Sequence, residues 1–145
     1  MTNIRDTIHS NTVSNEDKIK AFTKNITELE KLQREFAFMC AARAVEGCEV
    51  QEVKDYFTLI LFIYESGELE LLNSEEYSSA FSAAYWVIYR VADWAAYRAA
   101  DSAASRAPYW AAYMAAYRAA DWAADSAAER EVQVEMIKCL LERGE

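Results

Sequence analysis

The sequence predicts an all-α protein, a helical bundle in which two long Ala/Tyr/Trp-rich helices are broken at Pro108. Three Gly and one Pro in 145 residues leave little material for β-hairpins or phosphate-binding loops. Apolar residues recur at helical spacing in the first third of the chain. The second half contains pairs of Ala, a strong helix former, at four-residue spacing. These observations favour a bundle of helices over a sheet protein.

The N-terminal third predicts a tail followed by a helix. Residues 1–13 are polar and lack a long apolar stretch, so we expect a flexible tail or a short docking segment. Ser14 followed by Asp17 is typical of a helix N-terminus. Helical spacing then predicts one helix over 14–46, with Gly47 following its end.

A second apolar segment runs from Glu49 to Ser66 and closes at Gly67. Its central run, YFTLILFIY (56–64), fits a buried strand as well as a helix, because periodicity does not separate the two in a short apolar run. We favour a helix, since the preceding residues have helical spacing and no second strand is available for pairing.

The next helix has a clear start signal. Residues 68–72 predict a short helical turn, and Asn73 or Ser74 is suited to cap the helix that follows. Glu75 and Glu76 then lie in its first turn, where carboxylates interact favourably with the helix dipole.

From Ala83 to Arg130 the chain consists of twelve four-residue units that begin with two small or apolar residues, as in AAYR, AADW and AADS. Each unit advances about 400° around an α-helix, so the small pair drifts by about 40° per unit. One straight helix–helix seam does not accommodate that drift. We therefore expect helices packed from several sides, with Ala permitting close approach and Tyr and Trp filling the flanking gaps.

Pro108 divides this repeat. Pro suits the first position of a helix and disfavours helix at the preceding residue, which predicts helices over about 75–106 and 108–143. An antiparallel hairpin is favoured because a kinked rod would expose much Tyr and Trp. The turn of such a hairpin would be tight and would contain no Gly, so both arrangements stay open. The predicted organisation is a tail followed by one helical domain over 14–145, with N-terminal helices over 14–72 and Ala-rich helices over 74–143.

Negative charge is concentrated in one stretch. Residues 47–80 contain eight acidic residues and only Lys54 as a base, so their net charge of −7 accounts for most of the formal net charge of −9 of the whole chain. A direct nucleic-acid partner is disfavoured because such affinity comes largely from Lys and Arg. The stretch predicts either a patch that binds a basic protein surface or an ordinary solvated face. The residues of this acidic patch are Glu49, Glu52, Asp55, Glu65, Glu68, Glu70, Glu75 and Glu76.

The aromatic and Arg positions of the repeat form a second candidate contact surface, because Tyr, Trp and Arg are frequent interface anchors. The alternative is that residues at this helical spacing belong to the core. The residues of this second surface are Tyr97, Arg98, Trp110, Tyr113, Arg118 and Trp122.

Patterns for catalysis or metal binding are weak. The single His, His9, lies in the expected tail, which leaves no His-based catalytic or zinc site. Asp121 and Asp125 lack the accompanying Glu-x-x-His motifs of di-iron bundles, and Cys40 has no evident base. We therefore expect no enzyme activity, no cofactor and no metal. The absence of a signal-like or membrane-spanning segment and the odd number of Cys predict a cytoplasmic protein with reduced thiols.

The units filled with Tyr, Trp, Arg and Asp over residues 83–130 resemble the Ala-rich helical segments of bacterial immunity proteins and of small phage-encoded proteins. This resemblance implies a non-enzymatic inhibitor that acts by tight binding, and its mobile-element character makes an anti-defence protein of the anti-CRISPR kind the expected function. Together with the charge distribution, it predicts that carboxylates occupy a basic nucleic-acid-binding groove of a target protein. The alternatives are a toxin immunity protein and a structural helical protein that self-associates, for instance as a homodimer.

Overall fold

The computed structural model describes residues 2–91 and 94–143, without the side chains of residues 2, 3, 87–91, 94, 95 and 122. This part of the chain is all-α, as predicted, with eight α-helices, two short 3-10 helices and no strand. The α-helices are α1 (Thr2–His9), α2 (Asn15–Phe22), α3 (Glu30–Glu46), α4 (Gln51–Ser66), α5 (Glu75–Val91), α6 (Trp94–Ala103), α7 (Pro108–Trp122) and α8 (Ser126–Arg143). The 3-10 helices are Thr27–Leu29 and Leu69–Asn73.

The expected flexible tail, residues 1–13, contains a packed helix instead. Ile4 and Ile8 lie one turn apart on α1 and are both buried. Arg5 donates from Nη2 to the backbone oxygen of Leu141 at 2.9 Å. Burial of two apolar side chains and a hydrogen bond to the last turns of α8 hold α1 on the bundle. The packing agrees with the docking segment rather than with the flexible tail, two alternatives that the sequence does not separate because two Ile residues are too few to produce a clear periodicity.

Two helix ends lie where the sequence places them. The Oγ of Ser14 accepts a hydrogen bond from the N–H of Asp17 at 3.1 Å, which caps α2. α3 ends at Glu46, and Gly47 follows it with φ −83°. This Gly therefore ends the helix without adopting a left-handed conformation.

The helix predicted over 14–46 is broken in its first third. Thr23 donates its hydroxyl to the backbone oxygen four residues earlier at 2.9 Å, a bond that competes with helix propagation. Buried Gln33 donates from Nε2 to the backbone oxygens of Phe22 (2.9 Å) and Lys24 (2.6 Å). These bonds satisfy the carbonyl groups that the break exposes.

α4 and α5 form a hairpin. The run 56–64 lies within α4, so the helical interpretation is confirmed and the strand is excluded. Gly67 ends α4 with φ 76°, a left-handed conformation that costs other residues about 1–2 kcal/mol. Ser74 caps α5, because its Oγ accepts from the N–H of Tyr77 at 3.1 Å.

The helix predicted over about 75–106 is folded back on itself. The ring of Tyr97 in α6 lies 6.2 Å from that of Phe81 and 6.3 Å from that of Tyr85, both in α5. A continuous helix would separate Phe81 from Tyr97 by about 24 Å, so α5 and α6 are not one rod. The packing of aromatic rings between the two helices overrides the unbroken helical pattern of the sequence.

Pro108 is the first residue of α7, as predicted. Ala107 has φ −85° and ψ 115°, the extended conformation that Pro favours in the residue before it. Because α7 packs against α6 across a linker of only a few residues, the observed arrangement is a hairpin rather than a kinked rod.

The turn between α6 and α7 contains no Gly and is held by hydrogen bonds from side chains of α3 and α4. Arg34 donates from Nη1 to the backbone oxygen of Ala103 at 2.7 Å and from Nη2 to that of Arg106 at 3.1 Å. Tyr64 donates its hydroxyl to the backbone oxygen of Ala104 at 2.9 Å. These bonds satisfy carbonyl groups at the end of α6 and in the linker to α7. We call the arrangement the Arg34 clasp.

The helix predicted over 108–143 is also broken, just before α8. Asp125 caps α8, since its Oδ1 accepts from the N–H of Ala128 at 3.1 Å. Ser126 donates its hydroxyl to the backbone oxygen of Ala120 at 2.7 Å. The two side chains thus satisfy polar groups on both sides of the break.

Closely packed Ala forms the centre of the bundle. α7 packs against α2, α3, α6 and α8, and buried Gln133 of α8 donates to the backbone oxygen of Ala116 at 3.0 Å. The expectation that the repeat produces a helix surrounded by neighbours is confirmed, because small side chains let different helices approach at different heights. The Ala residues of α3, α6 and α7 with at most 3% exposure are Ala37, Ala41, Ala44, Ala96, Ala99, Ala100, Ala103, Ala111, Ala112, Ala115, Ala116, Ala119 and Ala120.

Candidate protein-binding site

The acidic patch is exposed. Glu52 is partly exposed, and the other seven members are exposed residues. Within the described part of the chain, no Lys or Arg nitrogen lies within 4 Å of any of the eight carboxylates. Asp55 accepts a hydrogen bond from Nε2 of Gln51 at 2.8 Å, and Gln51 is uncharged. Among the described residues, the carboxylates of this region therefore have no ion-pair partner.

The structure divides the patch between the two sides of α4. Glu65 lines a groove between α3 and α4, whereas Asp55 and Glu76 line a separate groove between α4 and α5. The second groove has a volume of about 430 Å³. We call it the acidic groove; besides the two carboxylates, its lining includes Leu59, Phe62 and Leu71. The remaining members lie near it along the chain: Glu49 before α4, Glu52 in its first turn, Glu68 and Glu70 around the second 3-10 helix, and Glu75 beside Glu76.

The acidic groove combines charge with an exposed apolar floor. Asp55, Leu59 and Phe62 follow one another at helical spacing on one face of α4. Phe62 is 58% exposed, which is unusual for so large an apolar side chain. The chain reverses direction between the left-handed Gly67 at the end of α4 and the Ser74 cap of α5. As a result, Glu76 lines the same groove. Such a groove suits a partner segment that carries both basic and apolar side chains.

Next to this hairpin, a partly buried hydrogen-bond network joins α4, α5 and α6. Tyr56 is fully buried, and its hydroxyl donates to Oδ1 of Asp101 at 2.9 Å and lies 3.1 Å from the hydroxyl of Tyr77. Burial, and after it the charge of Asp101, raise the pKa of Tyr56 far above its ordinary value. Burial of the inner side of Asp101 likewise raises the pKa of its carboxyl, although part of the residue stays exposed. The network links α4 and α5, the two helices that flank the acidic groove, and joins both to α6.

Sequence reasoning misses this network. Tyr77 and Asp101 are 21 and 45 residues away from Tyr56 along the chain, so no local pattern connects them. The signal that the sequence does contain is Asp101 itself, a carboxylate in a track of buried Ala.

The second candidate surface combines a core residue with exposed ones. Tyr97 is 5% exposed and stacks on Tyr56 with ring centroids 5.8 Å apart, so it belongs to the core and its assignment as a contact residue is wrong. Trp110 is 50% exposed and contacts Tyr113 with ring centroids 6.0 Å apart. Arg118 lies over the ring of Tyr117 at 5.6 Å. Arg98 is exposed on α6, and the side chain of Trp122 lies outside the described residues.

The environment of Cys40 disfavours its thiolate form. Cys40 is fully buried, and burial followed by the charge of Glu129 raises the pKa of its thiol well above the ordinary value. A protonated thiol is a poor nucleophile. In residues 2–91 and 94–143, no group of three or more His, Cys, Asp or Glu is placed to hold a metal ion. No helix among the described residues is both long and apolar enough to cross a bilayer.

The chain matches no protein-family model, no curated protein and no solved structure. The resemblance to immunity and phage proteins thus rests on the repeat pattern alone.

Proposed function

We propose that this protein binds a basic surface of another protein, one that otherwise holds nucleic acid, and that it inhibits the partner by occupying that surface. The observation that carries the proposal is the set of eight carboxylates without an ion-pair partner among the described residues, two of which line one groove with exposed Phe62. An anti-defence protein directed at a nucleic-acid-handling effector, of the anti-CRISPR kind, would work in this way. A toxin immunity protein that covers a basic toxin surface would use the same chemistry.

The mechanism is electrostatic and steric. A nucleic-acid-binding surface presents Lys and Arg where phosphates bind. Asp55, Glu76 and the neighbouring carboxylates present negative charge to the same cations and accelerate the encounter through long-range attraction. Phe62 adds an apolar contact that distinguishes the bound complex from a loose ionic one.

Affinity capture from a bacterial lysate, supplemented with nucleic-acid-handling effector complexes, tests the proposal. At about 50 mM salt the immobilised protein retains a basic nucleic-acid-binding protein, and about 0.5 M salt releases it because screening shortens the reach of the charges. The double variant Asp55→Lys, Glu76→Lys loses this retention.

A matched variant separates the groove from net charge. Glu28→Lys, Glu142→Lys changes two exposed carboxylates outside the acidic patch and alters the net charge equally. It retains the partner if the groove is the contact surface. Equal capture by the two double variants would contradict the proposal.

A second candidate function, self-association, is favoured by an exposed aromatic stripe on α7. Trp110, Tyr113 and Tyr117 lie on one face at helical spacing, and Trp110 and Tyr117 are 50% and 47% exposed. Aromatic residues of this kind are enriched at interfaces. Sedimentation velocity distinguishes the two functions: a stable homo-oligomer that Trp110→Ala and Tyr117→Ala convert to monomer would support self-association.

A further inference from the structure

A larger groove lies on the other side of α4, between α3 and α4. It has a volume of about 830 Å³, within the range of about 300–1,000 Å³ typical of small-molecule sites. Along α3 its lining extends from Lys31 to Ala42, which corresponds to about 16 Å of helix. We call it the α3–α4 groove. Of the acidic patch, only Glu65 contributes to it.

The two ends of the α3–α4 groove differ in polarity. One end is charged and the other is apolar, because the start of α3 lies beside the end of α4. The ring of Phe38 marks the middle, with its centroid 5.2 Å from that of Tyr64 and 6.1 Å from that of Phe57. The charged end contains Lys31, Arg34, Glu35, Glu65 and Arg143; the apolar end contains Met39, Ala42, Phe57 and Leu61.

The charged end is positive. Glu35 forms an ion pair with Arg143, which leaves Lys31, Arg34 and Glu65. Arg34 lies 4.5 Å from the centre of the Tyr64 ring and donates to backbone oxygens, and within the described residues no carboxylate oxygen lies within 4 Å of it. Burial lowers the pKa of Arg34, which reflects the cost of a partly desolvated cation without an anionic partner. An anion at this end would reduce that cost.

We propose that the α3–α4 groove binds a single-chain amphiphile with a carboxylate head group, of the fatty-acid class. The head group lies beside Lys31 and Arg34, and the alkyl chain follows the groove past Phe38 to Phe57. The lengthwise polarity of the groove and its positive end match this ligand. A cationic or an uncharged amphiphile of the same length matches only the apolar part.

Calorimetric titration of the full chain with sodium laurate, below its micelle concentration, tests the proposal. The expected result is one laurate per chain, bound at least about tenfold more tightly than dodecyltrimethylammonium or dodecyl maltoside. Absence of laurate binding, or equal binding of all three amphiphiles, would overturn the proposal. Binding to phosphatidylglycerol vesicles in place of free laurate would also overturn it, because the groove would then face a membrane surface.

Paired variants locate the ligand. Ala42→Trp fills the apolar end of the groove and weakens laurate binding about tenfold or more. The control is Ala127→Trp, which leaves laurate binding unchanged. Ala127 is exposed and lies in the first turn of α8, at the opposite end of that helix from Arg143. Lys31→Glu weakens laurate binding severalfold, and Lys24→Glu, with the same change in net charge, does not. If circular dichroism shows that Ala42→Trp disturbs the fold, Met39→Glu takes its place. Laurate affinity that is insensitive to both ends of the groove would reject the site.

Discussion

Replacement of Arg34 by Met tests the Arg34 clasp as the device that closes the α6–α7 hairpin. Met retains much of the apolar stem of Arg but donates no hydrogen bonds. The backbone oxygens of Ala103 and Arg106 then lose their donors. Since the carbonyl groups at the end of a helix need partners, we expect the hairpin to be destabilised.

The magnitude follows from the surroundings of each bond. The bond to Ala103 is 2.7 Å long and partly buried, and a hydrogen bond with a charged donor contributes about 1.5–3 kcal/mol. The bond to Arg106 is exposed and contributes less, and the contact with the Tyr64 ring adds about 0.5–1 kcal/mol. Arg34→Met is therefore expected to lower the free energy of unfolding by about 3 kcal/mol, or to lower Tm by roughly 6–12 °C.

Urea unfolding followed by circular dichroism measures this loss. Arg34→Lys keeps the charge but not the forked pair of donors, so its free energy of unfolding should lie between those of Arg34→Met and the wild type. Tyr64→Phe removes the single bond to Ala104 and should cost about 1 kcal/mol. An Arg34→Met variant within about 0.5 kcal/mol of the wild type would refute the clasp as a stabilising element.

Three further changes probe other parts of the fold. Because burial raises the pKa of Asp101 above its ordinary 3.8, the folded state binds the carboxyl proton more tightly than the unfolded state does, and the stability that this proton contributes is lost as pH rises through the raised pKa. Urea unfolding should therefore show that Asp101→Asn is more stabilising, relative to the wild type, at neutral pH than at about pH 3. The opposite trend would contradict the raised pKa of Asp101. Gly67→Ala should lower the free energy of unfolding, measured with urea, by about 1–2 kcal/mol. The left-handed conformation alone causes this loss, since an added Cβ meets no atom within 4 Å, and Gly67→Asn should lose less. Equal stability of the Gly and Ala forms would argue against that conformation. Ala112→Leu should overpack the centre of the bundle and lower Tm, at a cost of about 1–3 kcal/mol, whereas Leu at exposed Ala124 should be nearly neutral; a harmless Ala112→Leu would mean that the Ala core is loosely packed.

Local signals in the sequence predict the fold class and several helix ends. The caps at Ser14 and Ser74, the left-handed end of α4 at Gly67 and the start of α7 at Pro108 all act through residues within one turn. Interactions of this kind depend on neighbours along the chain, so they are visible in a single sequence.

The breaks within the predicted long helices depend on distant residues. The tetrapeptide AADS occurs twice: at 99–102 it lies inside α6, and at 123–126 it spans the break before α8. In the first copy Asp101 accepts from Tyr56 of α4, and in the second Asp125 caps the helix that follows. Identical residues thus adopt different structures because their tertiary partners differ, and no local pattern separates them.

The same limit applies to the candidate site. The composition of residues 47–80 predicts exposed negative charge. The joining of Asp55 and Glu76 in one groove, and the assignment of Glu65 to another, follow from how α5 packs on α4. The contacts of Tyr56 with Tyr77, Phe81 and Asp101, which join α4, α5 and α6, are part of that packing and link residues far apart along the chain.

A displacement titration tests the central claim most directly. A basic partner recovered by affinity capture is loaded with fluorescein-labelled duplex DNA, and fluorescence anisotropy is followed as the protein is added. Our account predicts that the wild type and Glu28→Lys, Glu142→Lys release the DNA at low salt, and that Asp55→Lys, Glu76→Lys does not. DNA that stays bound while the protein also binds, or release by the acidic-groove variant as well, would contradict it.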